Sequence, residues 1–538
     1  MVLEGTPGRL DDDACFRALV ARDRRFDGWF FVGVTSTRIY CRPSCPSVMP
    51  KRQNARFFPT AAGAQRAGFR ACKRCRPDGV PGSPEWNRRG DAVGRAMRLI
   101  ADGVVDREGV NALAGRLGFS SRHLQRVLVS ELGAGPLELA RAKRCESARI
   151  LLETTAMRLG EVAFAAGFGS IRQFNDTIRQ VYGEVPSALR RRSGALAASG
   201  AGGRRAASAA VTLRLPYRAP LGSEALFGFL AARAVPGVEE GGPGWYRRAL
   251  DLPHGPGVVT VRTLPAGEAA LHCRLELEDS RDLGTAVQRT RRLFDLDCDP
   301  GSVAEVLRTC PLLGGQVKRL PGLRTPGHVE GNELAVRAVL GQQVSVPGAR
   351  TLSGKLAEAY GEPLPVPVDG VARLFPSAAV LAALSPEDLP LPTTRAVAVI
   401  RLCGALADGS VSLDPGADRD RAAAELLSIP GIGPWTVGYV RMRALGDPDA
   451  FLPTDLGAMR ALERLGASRG EKAVLALAES WRPYRSYALQ YLWSVLATPG
   501  ETATATAGAT TTATATAVPG ATTTATATSR AKKEKEPT

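Results

Sequence analysis

Leu427-Ser428-Ile429-Pro430-Gly431-Ile432-Gly433-Pro434-Trp435-Thr436 reads as two helices joined by the tight turn Pro430–Gly433, a helix-hairpin-helix signature. Glycines in such a turn let backbone N–H groups come close to a phosphate, and the amino terminus of the second helix adds a favourable dipole. Gly431 and Gly433 are therefore candidate DNA contacts. Taken alone, the motif marks non-specific duplex binding and occurs in many proteins that catalyse nothing. Working outward, the pattern is helical from about residue 285. Ahead of it, Val211–Leu215, Val259–Val261 and Leu271–Leu277 alternate apolar and polar residues as strands of a small antiparallel sheet.

Phe451-Leu452-Pro453-Thr454-Asp455 places an acidic residue 20 positions beyond Trp435. Three further stretches accompany it: Gly228-Phe229-Leu230-Ala231-Ala232-Arg233-Ala234-Val235, Arg292-Leu293-Phe294-Asp295-Leu296-Asp297-Cys298 and Arg485-Ser486-Tyr487-Ala488-Leu489. Through these residues the region 211–497 resembles the helix-hairpin-helix base-excision glycosylases of the AlkA type. The resemblance makes Asp455 the catalytic carboxylate, stabilising positive charge on the sugar as the glycosidic bond breaks. The residue by itself reads equally well as a helix cap after Pro453. The resemblance also makes Trp435, Tyr439 and Trp493 the walls of a pocket for a base swung out of the duplex. Aromatic faces attract a cationic base such as 3-methyladenine by about 0.5–2 kcal/mol. Without the motif, such aromatics would be read as core. Trp435 stands where strand-cutting relatives carry a Schiff-base lysine, which implies base release without strand cleavage. Gln343, in Gly341-Gln342-Gln343-Val344-Ser345, departs from the pattern: the best-known AlkA-type enzyme has an apolar wedge there. Gln343 would fill the gap left by the flipped base with poorer stacking.

At the other end of the chain, Cys41, Cys45, Cys72 and Cys75 form a C-x3-C pair and a C-x2-C pair with 26 residues between them. Each short pair can place two thiolates on one tetrahedral Zn2+. Arg38, Arg42, Lys51, Arg52, Arg70, Lys73, Arg74 and Arg76 crowd the cluster, as on a surface that meets phosphates. Spacing alone fits a closed structural zinc site. The stretches Tyr40-Cys41-Arg42-Pro43-Ser44-Cys45 and Phe69-Arg70-Ala71-Cys72-Lys73-Arg74-Cys75-Arg76-Pro77-Asp78 resemble the zinc domain of Ada-type adaptive-response proteins. That resemblance makes Cys41 both a zinc ligand and the acceptor of a methyl group from a DNA methyl phosphotriester. Four thiolates on a divalent ion leave a net charge of about −2, so a bound thiolate stays electron-rich. A neutral triester admits such a nucleophile where a phosphate anion would repel it. Arg42, Arg70, Lys73 and Arg74 are the candidate phosphate contacts.

From 88 to 192 the periodicity is helical throughout. Val110–Gly118 runs into Phe119-Ser120-Ser121-Arg122-His123-Leu124-Gln125-Arg126, and Arg158–Gly167 runs into Phe168-Gly169-Ser170-Ile171-Arg172-Gln173-Phe174. Each unit is a short apolar helix, a glycine turn and a helix opening with serine and arginine, which is helix-turn-helix grammar. The Gly-Phe pairs lie 49 residues apart, as in AraC-type regulators, which the stretch resembles through Gly167-Phe168, Phe174, Gly183-Glu184-Val185-Pro186 and Arg190. Arg122, Arg126, Arg172 and Gln173 are the candidate base-reading or phosphate-contacting residues; otherwise they are exposed helix surface. Asp176 stands where relatives often carry a basic residue. The triple Arg190–Arg192 reads as a solvated helix end.

Composition agrees with these readings. At 538 residues the chain holds three or more domains, and a formal net charge of +17 points to nucleic acid or another anionic surface. The start lacks a basic flank and an apolar run, and no 18-residue apolar stretch occurs. The ten cysteines are therefore expected in a reducing cytoplasm, the six outside the cluster as buried small hydrophobes. The Pro-Cys-His-Arg site of the direct-reversal module of full-length Ada proteins does not occur in the sequence.

The expected fold is multidomain and mainly α, with a small zinc domain, an all-α double helix-turn-helix domain and an α+β AlkA-type half. The boundaries are 1–85 for the zinc domain, 86–192 for the paired helix-turn-helix units and 193–210 for a flexible linker. They continue with 211–290 for the sheet domain, 291–497 for the helix-hairpin-helix domain and 498–538 for a disordered Ala/Thr-rich tail. The expected function joins a methyl phosphotriester acceptor and transcriptional activator to a monofunctional glycosylase for alkylated purines. Double-stranded DNA is the partner, RNA polymerase a further one for an activator, and no membrane is involved. Two rivals stay open: a glycosylase with an inert zinc and helix-turn-helix extension, and a pure regulator whose glycosylase-like half is a docking module.

Overall fold

The computed structural model describes residues 11–77, 92–155, 157–193, 209–265, 267–467 and 471–496. The tail at 498–538, nearly all of the linker at 193–210 and the boundary at 85/86 lie outside the described residues.

The amino-terminal region is a four-stranded mixed sheet of β1 (Phe31–Val34), β2 (Ile39–Cys41), β3 (Ala55–Phe58) and β4 (Arg70–Ala71), in the order β3-β1-β2-β4. β1 runs antiparallel to both β2 and β3, whereas β2 and β4 are parallel, with Tyr40 opposite Ala71. That parallel pairing matters for chemistry, because β2 ends at Cys41 and Cys72 directly follows β4. The Cys72 N–H donates to the Tyr40 carbonyl at 3.0 Å, which brings Cys72 level with Cys41.

Helices follow through the described part of 92–193. Gly118 and Gly167 adopt φ of 76° and 84°, a left-handed conformation that lets each unit turn sharply between its helices. Ser120 then caps Ser121–Leu132, its hydroxyl accepting from the His123 N–H, and Ser170 caps Ile171–Tyr182 through Gln173 N–H. The hydroxyl at each cap explains why both second helices open with serine. Arg190 corrects the reading of a solvated helix end. It is only 8 % exposed, while Arg191 and Arg192 face solvent.

The second half opens with an antiparallel sheet of five strands: β5 (Ala209–Pro216), β6 (Glu239–Gly242), β7 (Trp245–Leu250), β8 (Gly257–Thr263) and β9 (Ala270–Leu277), in the order β5-β9-β8-β7-β6. Helices take over from Leu283, interrupted by the hairpin of β10 (Pro363–Val368) and β11 (Val371–Arg373). One apolar cluster runs from Phe31 and Tyr40 through Leu151, Phe174 and Ile178 to Leu213, Val259 and Leu275. The two halves are therefore packed together: an Arg218 guanidinium N–H donates to the Asp27 carbonyl (2.7 Å), and Thr285 Oγ1 donates to the Asp102 carbonyl (2.9 Å). All ten cysteines are free and buried. Among the described residues no helix is long and apolar enough to cross a membrane.

Candidate functional sites

The helix-hairpin-helix turn delivers two side chains to one place. Gly431 sits at φ +92°, and a Cβ there would lie 2.7 Å from Ala398 Cβ, so only glycine fits the corner. Gly433 is different: it is extended and caps the helix Pro434–Arg443, and a Cβ there would meet nothing within 4 Å. One turn of that helix separates Trp435 from Tyr439, and their rings stack at 5.3 Å and 7°. Trp493, from the helix Arg485–Leu496, stands 6.5 Å from Tyr439, and Phe229 stacks on Trp493 at 6.4 Å and 17°.

Asp455 joins this group. It is 1 % exposed and caps Leu456–Arg464, with Oδ1 accepting from the Ala458 N–H at 2.7 Å. The same Oδ1 accepts from Trp493 Nε1 at 2.8 Å, and Oδ2 accepts from Trp435 Nε1 at 2.9 Å. The cap and the placement beside the aromatic walls are thus compatible. Three N–H donors fix the carboxylate, and two of them belong to the rings that line the chamber.

Cations surround the chamber. Arg233 and Arg443 lie over the Phe229 ring at 3.7 and 4.8 Å, and an Arg443 N–H donates to the Tyr439 hydroxyl at 2.7 Å. Burial works to raise the Tyr439 phenol, but Arg443, Arg233 and Arg337 outweigh it and hold it below its ordinary value. Burial lowers Arg233 itself to about 10. Beneath them, Arg248 (2 % exposed) bonds Glu239 at 2.8 Å and Glu333 at 2.6 Å, and Arg337 bonds the same two carboxylates at 2.9 and 2.8 Å. His328 completes that group, kept neutral by burial. Two guanidiniums already balance the two carboxylates, so this cluster is a charge-paired floor rather than a metal site. Gln343 is exposed, at φ +58°, at the corner before the helix Val346–Tyr360.

In the amino-terminal sheet, the Sγ atoms of Cys41, Cys45, Cys72 and Cys75 all lie within 4.8 Å of one another. Turns follow both strands, closed by Cys45 N–H to the Arg42 carbonyl and Arg76 N–H to the Cys72 carbonyl, and these bring in the second cysteine of each pair. Hydrogen bonding to Cys45, Cys72 and Cys75 holds the Cys41 thiol far above its ordinary value when only protons are shared. A divalent cation replaces those protons. Four buried sulfurs around one centre fit a tetrahedral Zn2+, and the cluster is a zinc site. Asp27, which the sequence reading missed, accepts from the Ser44 N–H (3.0 Å) and hydroxyl (2.6 Å) and pairs with Arg42 at 3.5 Å.

The other candidate contacts are spread over the surface. Arg70 and Arg74 are exposed; Lys73, also exposed, is ion-paired with Glu184 of the second helix-turn-helix unit. Arg122, Arg126 and Arg172 face solvent, with Arg126 against His123 Nδ1 at 3.1 Å and Arg172 4.0 Å from Asp176. Gln173 is exposed, but its side-chain oxygen accepts from Gly169 N–H at 3.2 Å.

Comparison with known proteins matches these regions separately and as a whole. The metal binding domain of Ada matches residues 14–78, a helix-turn-helix domain 113–192 and the AlkA N-terminal domain 212–330. A Mycobacterium tuberculosis protein described as a probable bifunctional transcriptional activator/DNA repair enzyme AlkA is 51 % identical over 91 % of this chain and 97 % of its own length. The chain belongs to this family. Its second half is similar to the Escherichia coli DNA-3-methyladenine glycosylase 2, with 34 % identity over 52 % of this chain and 95 % of that enzyme. Its first part is similar to the Escherichia coli bifunctional transcriptional activator/DNA repair enzyme Ada, with 34 % identity over 26 % of this chain and 38 % of that protein.

Within the AlkA-type half, residues the sequence reading gave no role include Phe229, Arg233 and Arg443. The first two lie in the quoted stretch Gly228–Val235, which was the available signal. Arg443 follows Tyr439 by one helical turn, a spacing that could have suggested it.

Proposed function

We propose that this chain repairs methylated DNA in two chemically separate ways and reports the damage by binding promoter DNA. At the zinc site, Cys41 Sγ attacks the methyl carbon of a DNA methyl phosphotriester. The S–CH3 bond forms as the C–O bond breaks, and the phosphodiester leaves with the electron pair. Zinc supplies a thiolate that stays deprotonated at neutral pH. Arg42, steadied by Asp27, and Arg70, Lys73 and Arg74 hold the phosphate backbone. Methylation removes one negative charge from the cluster and so favours tighter DNA contact.

In the AlkA-type half, an alkylated purine is turned out of the duplex and enters between Trp435, Tyr439 and Trp493. The bond from the sugar to the base breaks with its electron pair passing to the base. Asp455 stabilises the positive charge left on the sugar, and water completes the hydrolysis. The single observation that carries this reading is the Asp455 carboxylate held by the Trp435 and Trp493 N–H groups. No lysine stands at position 435, so release occurs without strand cleavage.

In this reading the exposed Arg122, Arg126, Arg172 and Gln173 enter successive major grooves, and activation proceeds through contact with RNA polymerase in the cytoplasm. Footprinting upstream of the protein's own coding region, before and after exposure to methylated DNA, tests the switch. Protection that appears or strengthens after exposure supports it. Equal protection in both states leaves the zinc region as a plain DNA-binding extension.

A further inference from the structure

Gln342, next to the wedge candidate, carries geometry that the reading above does not use. Its side-chain Nε2 donates to the Gly431 carbonyl at 3.1 Å and to Thr436 Oγ1 at 2.9 Å. Gly431 is the corner of the phosphate-binding turn, and Thr436 is 3 % exposed in the first turn of the helix that carries Trp435 and Tyr439. The backbone around Gln342 is itself pinned. Its N–H bonds the Val339 carbonyl at 3.1 Å, and Ser345 caps the following helix through Gly348 N–H at 3.2 Å. Between those fixed points Gln343 is driven to φ +58°, a conformation that costs a non-glycine residue energy and persists only when its neighbours enforce it.

We propose that Gln342 is a positioning residue that locks the wedge corner to the helix-hairpin-helix turn, so that phosphate grip and base displacement occur in one register. It touches neither the base nor the sugar. A single amide ties three things together: the corner presenting Gln343, the turn that meets the phosphate, and the helix that walls the chamber. Base flipping needs all three at once, since a wedge that moves freely of the phosphate contact cannot hold open a gap at a set distance from it. Once a base is already out of the stack, the link has nothing further to do. The inference rests on the reading of Gln343 as the gap-filling residue, and the test separates the two.

Gln342→Ala and Gln342→Glu are compared with Gln343→Ala in full-length protein under single-turnover conditions. The substrates are duplex DNA with a paired 3-methyladenine, and the same lesion opposite an abasic site, where the unpairing cost is small. A fluorescent 2-aminopurine beside the lesion reports flipping directly. The expected result is a loss of about tenfold or more in excision and flipping on the paired duplex for both Gln342 variants, the scale of one or two lost hydrogen bonds. The unpaired lesion should be excised at near the parental rate, and the melting temperature should hold. Equal losses on both substrates would mean a merely structural role and overturn the proposal. Parental activity on the paired duplex for Gln342→Ala, with Gln343→Ala impaired, would overturn it while leaving the wedge reading intact. Parental flipping in Gln343→Ala would remove the wedge reading and the proposal with it.

Discussion

Asp455→Asn separates two roles that a carboxylate at the start of a helix can play. Asparagine caps helices about as well as aspartate, so a residue that only caps should tolerate the change. Asp455, however, receives three donors: Ala458 N–H and Trp493 Nε1–H at Oδ1, and Trp435 Nε1–H at Oδ2. An amide offers one acceptor oxygen, so one indole N–H must face an NH2 group. Leaving a buried donor unpaired costs about 1–3 kcal/mol of stability. The catalytic loss is larger. A full charge about 4 Å from a developing cation contributes roughly 4 kcal/mol at an effective dielectric near 20, equivalent to about a thousandfold in rate. The assay is single-turnover release of 3-methyladenine from methylated duplex DNA, run well below the variant's melting temperature, with binding measured on the same duplex. A thousandfold slower release with near-parental binding is expected. Release within a few-fold of the parent would refute the reasoning and return Asp455 to the role of a cap.

Three further outcomes follow from other parts of the molecule. Gly431→Ala forces a side chain into φ +92° and within 2.7 Å of Ala398 Cβ, and should lower stability by about 2–4 kcal/mol in chemical denaturation, with weaker duplex binding. Burial raises the Asp295 carboxyl from 3.8 to about 6 even though Arg324, Tyr487 and the Thr325 N–H pull it down. A raised folded value means stability that is full below about pH 4 and lost as pH rises through about 6, on the order of 3 kcal/mol. Asp295→Asn should flatten that part of the stability–pH curve, and an unchanged slope would assign it elsewhere. Chelation should remove one zinc per chain and abolish methyl acceptance while base release persists, since the aromatic chamber draws only on residues beyond 211; zinc release and excision measured on one sample check this.

Much of the architecture was legible because its signals are local. Cysteine spacing, two Gly-Phe turns and Pro-Gly-Ile-Gly each specify a conformation within a few residues, and the described structure has a zinc cluster, paired helix-turn-helix units and a helix-hairpin-helix at those places. The strands β5 and β9 alternate, whereas β8 is buried at five consecutive residues and β6 (Glu239–Gly242) contains glycines and carboxylates and reads as a loop. What stayed hidden was long-range pairing of charge. Arg248, Glu239, Glu333 and Arg337 look like surface residues one at a time, and only their mutual neutralisation allows burial. Arg190 is buried too, and nothing in the run Arg190–Arg192 sets it apart from its two exposed neighbours. The contact between Asp27 and Arg218 spans 191 positions and has no local signature. Asp455 shows the opposite case: cap and catalytic readings competed in the sequence, yet its geometry accommodates both.

The central claim is that one chain carries both a methyl acceptor and a glycosylase, and the acceptor is tested most directly by mass. Full-length protein is incubated with methylated duplex DNA, and the peptide containing Cys41 and Cys45 is weighed and fragmented. One methyl group on Cys41, absent in Cys41→Ala, is the predicted result. An unmodified peptide from folded, zinc-loaded protein would contradict the account and leave the cluster a structural zinc site on a DNA glycosylase.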